Sequence, residues 1–437
     1  MLKFWLHALL ITIFTYVVLA ALYGILQLNA FNAFDPLGQA IGQMELSDIA
    51  FSRFREGEPT PDENVTIVNI GNLSRGEIGD QIRNIVHFKP RVIALDIIFS
   101  CELKDSVNCP QAYDIESNLN FYSAIAEAEQ QGVKVVMAEK LHQTKGLVEQ
   151  YGDIDVYDSI EHTDDLLRGN SFEGFVNLIT DATHQEDVKE CREINPVINV
   201  NGKPELAFSV MTAKAFDEEK ARKFLERGNA VEVINYRGNT PDPYGASTYS
   251  GRYQFLDVYQ ALDTGSFSGD MIRDKIVIFG FHGEDQFDRS WEDKFFTPLN
   301  QEYAGRARPD MYGVVVHANT VSMILKEDYI DLMPQWLSFL VSFLVVLLTA
   351  ALFLKIELTI PIWYDLLSLL IQLVLFVAFS LLMILVFSFY SVRLDFTITL
   401  AAVALAGTAF ELYNGGILRL YDYLSGKFLS KTPENDH

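Results

Sequence analysis

Two kinds of hydrophobic pattern share this chain. Four segments, residues 4–26, 332–354, 366–390 and 396–413, are almost continuously apolar. Each is long enough as a helix to cross a hydrocarbon core of about 30 Å. Between the first and second of them, apolar residues come in short bursts instead: VTIVNI at 65–70, VIALDIIF at 92–99, VKVVMA at 133–138, GFVNL at 174–178, VEVINY at 231–236 and KIVIFG at 275–280. Short runs rich in Val and Ile, with few polar breaks, fit strands covered on both faces of a parallel sheet. Helix-length segments at 76–88, 117–131, 205–226 and 315–325 alternate with them. The alternation predicts an α/β domain, a mostly parallel sheet with flanking helices, joined to a four-helix transmembrane part of one N-terminal and three C-terminal spans. Residues 149–170 and 237–251 lack such a period and read as loops.

The fourth span is the least apolar, diluted by Thr397, Thr399, Gly407 and Thr408. Small and hydroxyl residues of this kind suit helix–helix contact, so we expect the spans to associate into a homo-oligomer. The first span exceeds the core of a signal peptide and lacks a small-x-small cleavage site, so it reads as a retained anchor. Four spans place both termini on one side. Lys3, Lys355, Arg419, Lys427 and Lys431 then share that side, against Arg393 in the short opposite loop, which makes it the cytoplasmic one. The resulting plan is an N-terminal span (1–26), an extracytoplasmic domain (27–331), three spans (332–414) and a short cytoplasmic tail (415–437) in the inner, or plasma, membrane.

Charge follows the same division. The formal net charge is −24, and residues 27–331 hold 51 of the 58 acids but only 28 of the 34 basic residues. So acidic a domain is a poor partner for nucleic acid, which needs Lys and Arg against phosphate. Of the three cysteines, Cys101 and Cys109 lie in a turn-rich loop and are expected to form a disulfide, leaving Cys191 over.

Catalytic signatures are missing: there is no G-x-G-x-x-G, Walker loop, H-E-x-x-H or G-x-S-x-G. We therefore expect a protein that is not an enzyme, with no cofactor and no metal. Polar residues at the predicted carboxyl ends of strands mark where a ligand would bind in such a fold. These are Asp96 in ALDIIF, Asn177 and Asp181 after GFVNL, His282, Asp285 and Asp288 after KIVIFG, and His317 and Asn319 in the last helix. A metal cluster of His282, Asp285, Asp288 and His317 would need loops to converge, and the spacing does not require it. Each residue also has a structural reading. Asp96 would fix a neighbouring loop through backbone amides, Asp288 would hold the turn at 296–298, and His317 and Asn319 would tie the last helix to the loop before it.

Taken in order, ALDIIF, GFVNL with its Asp-containing loop, NPVINVNGKPELAFSVM, KIVIFG, DKFFTP and GVVVHANTVSMIL resemble the type-2 CHASE domain, a cyclase/histidine-kinase-associated sensory extracellular domain. The most telling pieces are D-x-F-x-T-P at 293–298 and G-V-x-V-H-A-N at 313–319. The resemblance implies a sensory role, with output normally passed to a kinase or cyclase domain in the cytoplasm. Residues 415–437 are too few for one, so a sensory membrane subunit signalling through a separate protein is expected. The alternative is an assembly subunit of an envelope complex that uses the domain as an interaction module. An enzyme with a site near Asp96, Asp285 or Asp288 is the third reading. The ligand, a small molecule in the first case, is not specified.

Overall fold

The computed structural model describes residues 1–26, 60–100, 114–144, 147, 157–180, 189–285, 287–301 and 308–417. The chain divides into two units, one within Gly57–Ile330 and one that joins helix α1 (Leu2–Leu26) to the segments from Asp331 onward.

The first unit follows the alternation read from the sequence. Strand β1 (Val65–Asn69) leads through α2 (Arg75–Val86) to β2 (Val92–Asp96), and α3 (Ile115–Gln130) leads to β3 (Lys134–His142). A short excursion carries β4 (Ser159–Glu161) and α4 (Asp165–Arg168) before β5 (Phe172–Phe175). Beyond it come the small strands β6 (Glu193–Ile194), β7 (Val197–Val200) and β8 (Lys203–Leu206), then helices α5 (Phe208–Phe216) and α6 (Glu218–Glu226). The chain closes with β9 (Glu232–Val233), β10 (Gln254–Leu256), α7 (Val258–Ala261), β11 (Ile276–Gly280), β12 (Lys294–Phe295), β13 (Met311–Tyr312) and α8 (Gly313–Lys326).

The main sheet has the order β10-β1-β11-β2-β3, with β5 beside β3, and all these pairs are parallel. Only β4 runs antiparallel, on the far end of β3. Every residue of β1 and β11 is buried, as their unbroken apolar runs require. Val68, Ile93, Leu95, Val135, Val277 and Phe279 face α2 and α3 in one core. The alternate residues lie under α5 and α8. Each such Val or Ile, fully buried, contributes on the order of 2 kcal/mol. Helix α2 begins with a capping box, in which Ser74 and Glu77 satisfy each other's backbone amides.

Four sequence expectations change. The stretch 205–226 is two helices, because Asp217 takes an extended conformation (φ −141°) and caps α6 by accepting from Lys220 N. The run at 231–236 is buried but not in the main sheet; its two-residue strand β9 pairs with β6. Tyr236 instead donates from its hydroxyl to the Cys191 carbonyl at 2.8 Å. The described part of 149–170 is not only loop, since β4 and α4 fall within it. Finally, β10 is an edge strand too short for its periodicity to show. Residues 237–251 form no helix or strand, as expected. Cys191 is buried and free, its thiol pushed up to about 12 by desolvation. Cys101 and Cys109 lie outside the described residues, as does Asp181.

In the second unit, α9 (Gln335–Thr359), α10 (Tyr364–Tyr390) and α11 (Thr397–Leu412) join α1, and all four, the last together with the π-helical turn that continues it to Ile417, are long and apolar enough to cross a membrane. The second begins at Gln335, with Pro334 in the N-cap position, after Asp331–Leu332 (β14) has paired with Val392–Arg393 (β15). That pairing sets the start of α9 and the end of α10 at one end of the bundle. Ile11, Phe353 and Phe410 form the centre between α1, α9 and α11. Polar side chains stitch it: the Tyr16 and Ser342 hydroxyls lie 2.7 Å apart, and Gln372 donates to the Val403 carbonyl at 3.1 Å. Gly407 sits against that glutamine, where a Cβ would come within 2.8 Å of Gln372 Nε2. The small-residue face of α11 is therefore used, at this point, within one chain.

Candidate functional site

Along the carboxyl edge of the main sheet, where open α/β sheets bind ligands, β1 and β2 end in Asn69 and Asp96, and Asp257, His282 and Asn177 follow β10, β11 and β5 within two residues. Asn69, the last residue of β1, organises one half of it. Its amide donates to Asp257 Oδ1 (2.9 Å) and to the Gly283 carbonyl (3.1 Å), and its side-chain carbonyl accepts from the backbone N–H of Gly71 and His282 (2.9 Å each). From α2, Gln81 donates to the Asn69 and Val258 carbonyls. The loops after β1, β10 and β11 are thereby held by two side chains.

Two cavities open in this region, with the β12–β13 ribbon between them. Lys294 and Tyr312 face the first and Phe295 the second. The first is only about 50 Å³. In its wall His282 is hydrogen-bonded to Thr240 Oγ1 and its ring lies between Phe255 (4.6 Å) and Tyr312 (4.3 Å). Burial holds its imidazole neutral, down to about 4. Asp310 accepts from the Thr297 amide (2.9 Å) and hydroxyl (2.7 Å), and desolvation raises it to about 7. Asp310, rather than Asp288, is thus the acid that holds the 296–298 turn; Asp288 accepts from Glu284 N (3.2 Å) and Ser290 N (2.8 Å).

The second cavity is a cleft of about 440 Å³ at the carboxyl ends of β2, β3 and β5. Asp96, Lys140, Asn177, Lys189, Asp293 and His317 line it. Two glycines allow its narrow build. At Gly280 a Cβ would strike Val314 at 2.7 Å, so only glycine lets β11 approach α8 beside Asp96. At Gly313 a Cβ would meet Asp293 Oδ2 at 3.2 Å, which shows the Asp293 carboxylate lying over the first residue of α8. An acid at a helix N-terminus meets the positive end of the helix dipole. The Asp293 backbone is left-handed (φ 54°), and its carbonyl accepts from Gly313 N at 3.0 Å.

Among the described residues no backbone amide bonds to the Asp96 carboxylate, so the loop-fixing role read from the sequence is not found. Desolvation, and then repulsion from Asp293, push it up to about 8. Burial raises Asp293 to about 6, opposed by Lys189 and Lys140. His317 packs edge-on against Phe208 at 5.2 Å; it is 4 % exposed, its Nδ1 has no hydrogen-bond partner, and burial lowers it to about 4. Asn177 is already engaged: it accepts from Leu141 N (2.8 Å) and donates to Leu141 O (3.0 Å), sewing the end of β3 to the residues after β5.

The residues singled out in the sequence therefore separate. Asp96, Asn177 and His317 share the cleft, whereas His282 and Asp288 line the small cavity. Asp285 is exposed and caps its own turn through Phe287 N (2.7 Å). Asn319 is fully buried and lines neither cavity. It accepts from Arg237 N (2.7 Å) and donates to the Gly238 and Val315 carbonyls (2.9 Å each), tying α8 to the 237–238 segment rather than to the loop before the helix. His282, Asp285, Asp288 and His317 do not converge. Sequence reasoning missed Lys140, Lys189 and Asn69 as parts of this edge. Nothing in EKLH at 139–142 alternates in polarity, so the continuation of the strand through Lys140 is not visible there; it shows only in the burial of Glu139 and Leu141 on either side of the exposed Lys140.

The family model described as CHASE2 domain matches residues 15–352. The chain belongs to the CHASE2 family. The match runs from inside α1 to inside α9, so the CHASE2 unit includes parts of both spans that flank it, and the cleft lies within it. Neither a curated protein nor a solved structure matches the chain. CHASE2 is a sensory extracellular domain family, which places a sensory domain and membrane-length helices in one polypeptide.

Proposed function

We propose that this protein is the sensory membrane subunit of a signalling pair, acting by binding rather than by catalysis. Its CHASE2 domain takes a small polar ligand in the cleft on the outer side of the inner membrane, and the spans pass the signal to a separate effector. The observation that carries the ligand half is the cleft itself. It has an opening of about 440 Å³, with a buried imidazole whose Nδ1 is unpaired and two acids whose charge is opposed by desolvation. Unpaired buried polar groups are costly and gain from a partner. Lys140 and Lys189 beside Asp96 and Asp293 offer both signs of charge, which suits a ligand that carries both an anion and hydrogen-bond donors, a small zwitterion.

The orientation proposed, with both termini in the cytoplasm, is supported by the β14–β15 pairing. It sets Asp331 and Arg393 at one end of the bundle and leaves Lys355, near the far end of α9, at the other. The test of the effector half is purification in mild detergent from native membranes, followed by mass spectrometry of co-eluting proteins. A stoichiometric kinase or cyclase is the expected result. Envelope or secretion components alone would overturn it in favour of an assembly subunit.

A further inference from the structure

A second group of chemistry-bearing side chains lies outside both cavities. Glu139 is on β3 and Glu173 on β5, and the parallel register that pairs Met137 with Glu173 and Glu139 with Phe175 puts both glutamates on one face of the sheet. His162 follows β4 and reaches over them. Its Nδ1 lies 3.3 Å from Glu139 Oε2 and 2.9 Å from Glu173 Oε1. One ligand atom from each of the three residues falls within 4.8 Å of the others. Arg168 of α4 donates to the second oxygen of Glu173 at 2.9 Å.

The Glu139 side chain is only 3 % exposed, yet it makes no hydrogen bond among the described residues beyond its approach to His162. A carboxylate that deep is ordinarily paired or coordinated. Glu173 and Glu205 add negative charge around it. A cation is the missing partner. His162, at 40 % exposure, leaves one side of the group open to solvent, so an ion has an entry path and room for a water ligand.

From this geometry we propose that Glu139, His162 and Glu173 bind one divalent first-row transition-metal ion. An imidazole nitrogen with two carboxylate oxygens is a mixed ligand set. It favours zinc-like ions over calcium or magnesium, which take oxygen alone. On binding, His162 would turn its Nδ1 lone pair to the metal, with its proton on Nε2. Arg168 would orient Glu173 through the oxygen that does not ligate, as partners behind a metal ligand commonly do. The ion would pin β3, β5 and the 157–170 excursion together. Lys140 of the cleft is the next residue along β3, so the site is built into the sheet edge that shapes the cleft.

The test uses the full chain, untagged and stripped of metal, in lipid nanodiscs, with Zn²⁺ as the probe. Calorimetry should show one high-affinity equivalent, with a rise in Tm relative to chelator. Glu139→Gln and His162→Ala should each weaken binding by roughly tenfold or more. His162 is exposed, so its alanine variant keeps the experiment readable should Glu139→Gln not fold. Co²⁺ in place of zinc should give no thiolate charge-transfer band, which separates this site from the cysteines. Absence of a stoichiometric site, or unchanged affinity in His162→Ala, overturns the proposal. Asp96→Asn should leave zinc binding intact, so the metal site and the cleft reading fail independently.

Discussion

On one side of the β12–β13 ribbon, buried polar groups are tied down; on the other they are held apart. The small cavity's wall spends Asp310 on Thr297, one nitrogen of His282 on Thr240 and Asp288 on two turn amides, and leaves His282 Nδ1 without a partner. Little space remains. Across the ribbon, Asp96 and Asp293 repel one another, His317 keeps an unpaired nitrogen, and the space is nearly nine times larger, about 440 Å³ against about 50 Å³. Both regions draw on Asp, His and Lys at strand ends, so residue type does not separate structure from function here. Whether the carboxylates already have protein partners, and how much space is left beside them, does.

Substitutions can break or sharpen this contrast, and the largest effect belongs to the satisfied groups. Asn319→Ala strips partners from Arg237 N and the Gly238 carbonyl at a fully buried position. It should destabilise the domain by about 3 kcal/mol, read as a fall in Tm of the full chain in nanodiscs. A loss under about 0.5 kcal/mol would show that these amides find other partners.

Asp96→Asn should act in the opposite direction. An acid raised from 3.8 to about 8 holds its proton in the folded state while the unfolded chain has released it. Its contribution to stability is therefore full below pH 4 and declines as pH rises toward 8. Asp293, Lys140, Lys189 and His317 face it in the cleft, and the open cleft lets water screen part of the cost. We expect the asparagine variant to gain about 2 kcal/mol at pH 8 and almost nothing at pH 4, giving a flatter Tm profile. Identical profiles for the two proteins would count against a desolvated Asp96.

The smallest stability change is expected at His317. Replacement by Phe keeps the ring against Phe208 and removes an unpaired nitrogen, so stability should move by less than about 1 kcal/mol. Ligand response should nonetheless vanish. A zwitterion that raises the Tm of the wild type and not of His317→Phe would mark the cleft as the binding site; equal shifts in both would move the site elsewhere.

Much of this architecture was legible in the chain. VTIVNI, VIALDIIF and KIVIFG announced β1, β2 and β11 because both their faces are covered, so burial left no polar alternation to confuse the reading. Asp293 and Gly313 stood within the two motifs that carried the family resemblance. The order of strands was not legible, since nothing local in 276–280 says that it lies between 65–69 and 92–96. Glu139 and His162 escaped notice for a similar reason: they are 23 positions apart and meet only because β4 folds back on β3. Asn319 was visible as a polar residue in an apolar helix, but a ligand-facing amide and a backbone-bonding amide look alike in sequence.

The place of β11 also has a consequence for how the domain comes into being. Strand β1 has β10 and β11 as its neighbours, both contributed by residues 254–280, and β2 waits for β11 on one side. A chain delivered from its N-terminus therefore carries β1 with both flanks bare until some two hundred further residues have followed. Bare, strongly apolar edges attract other chains. The keystone arrives late, and folding of this domain must outpace aggregation until it does.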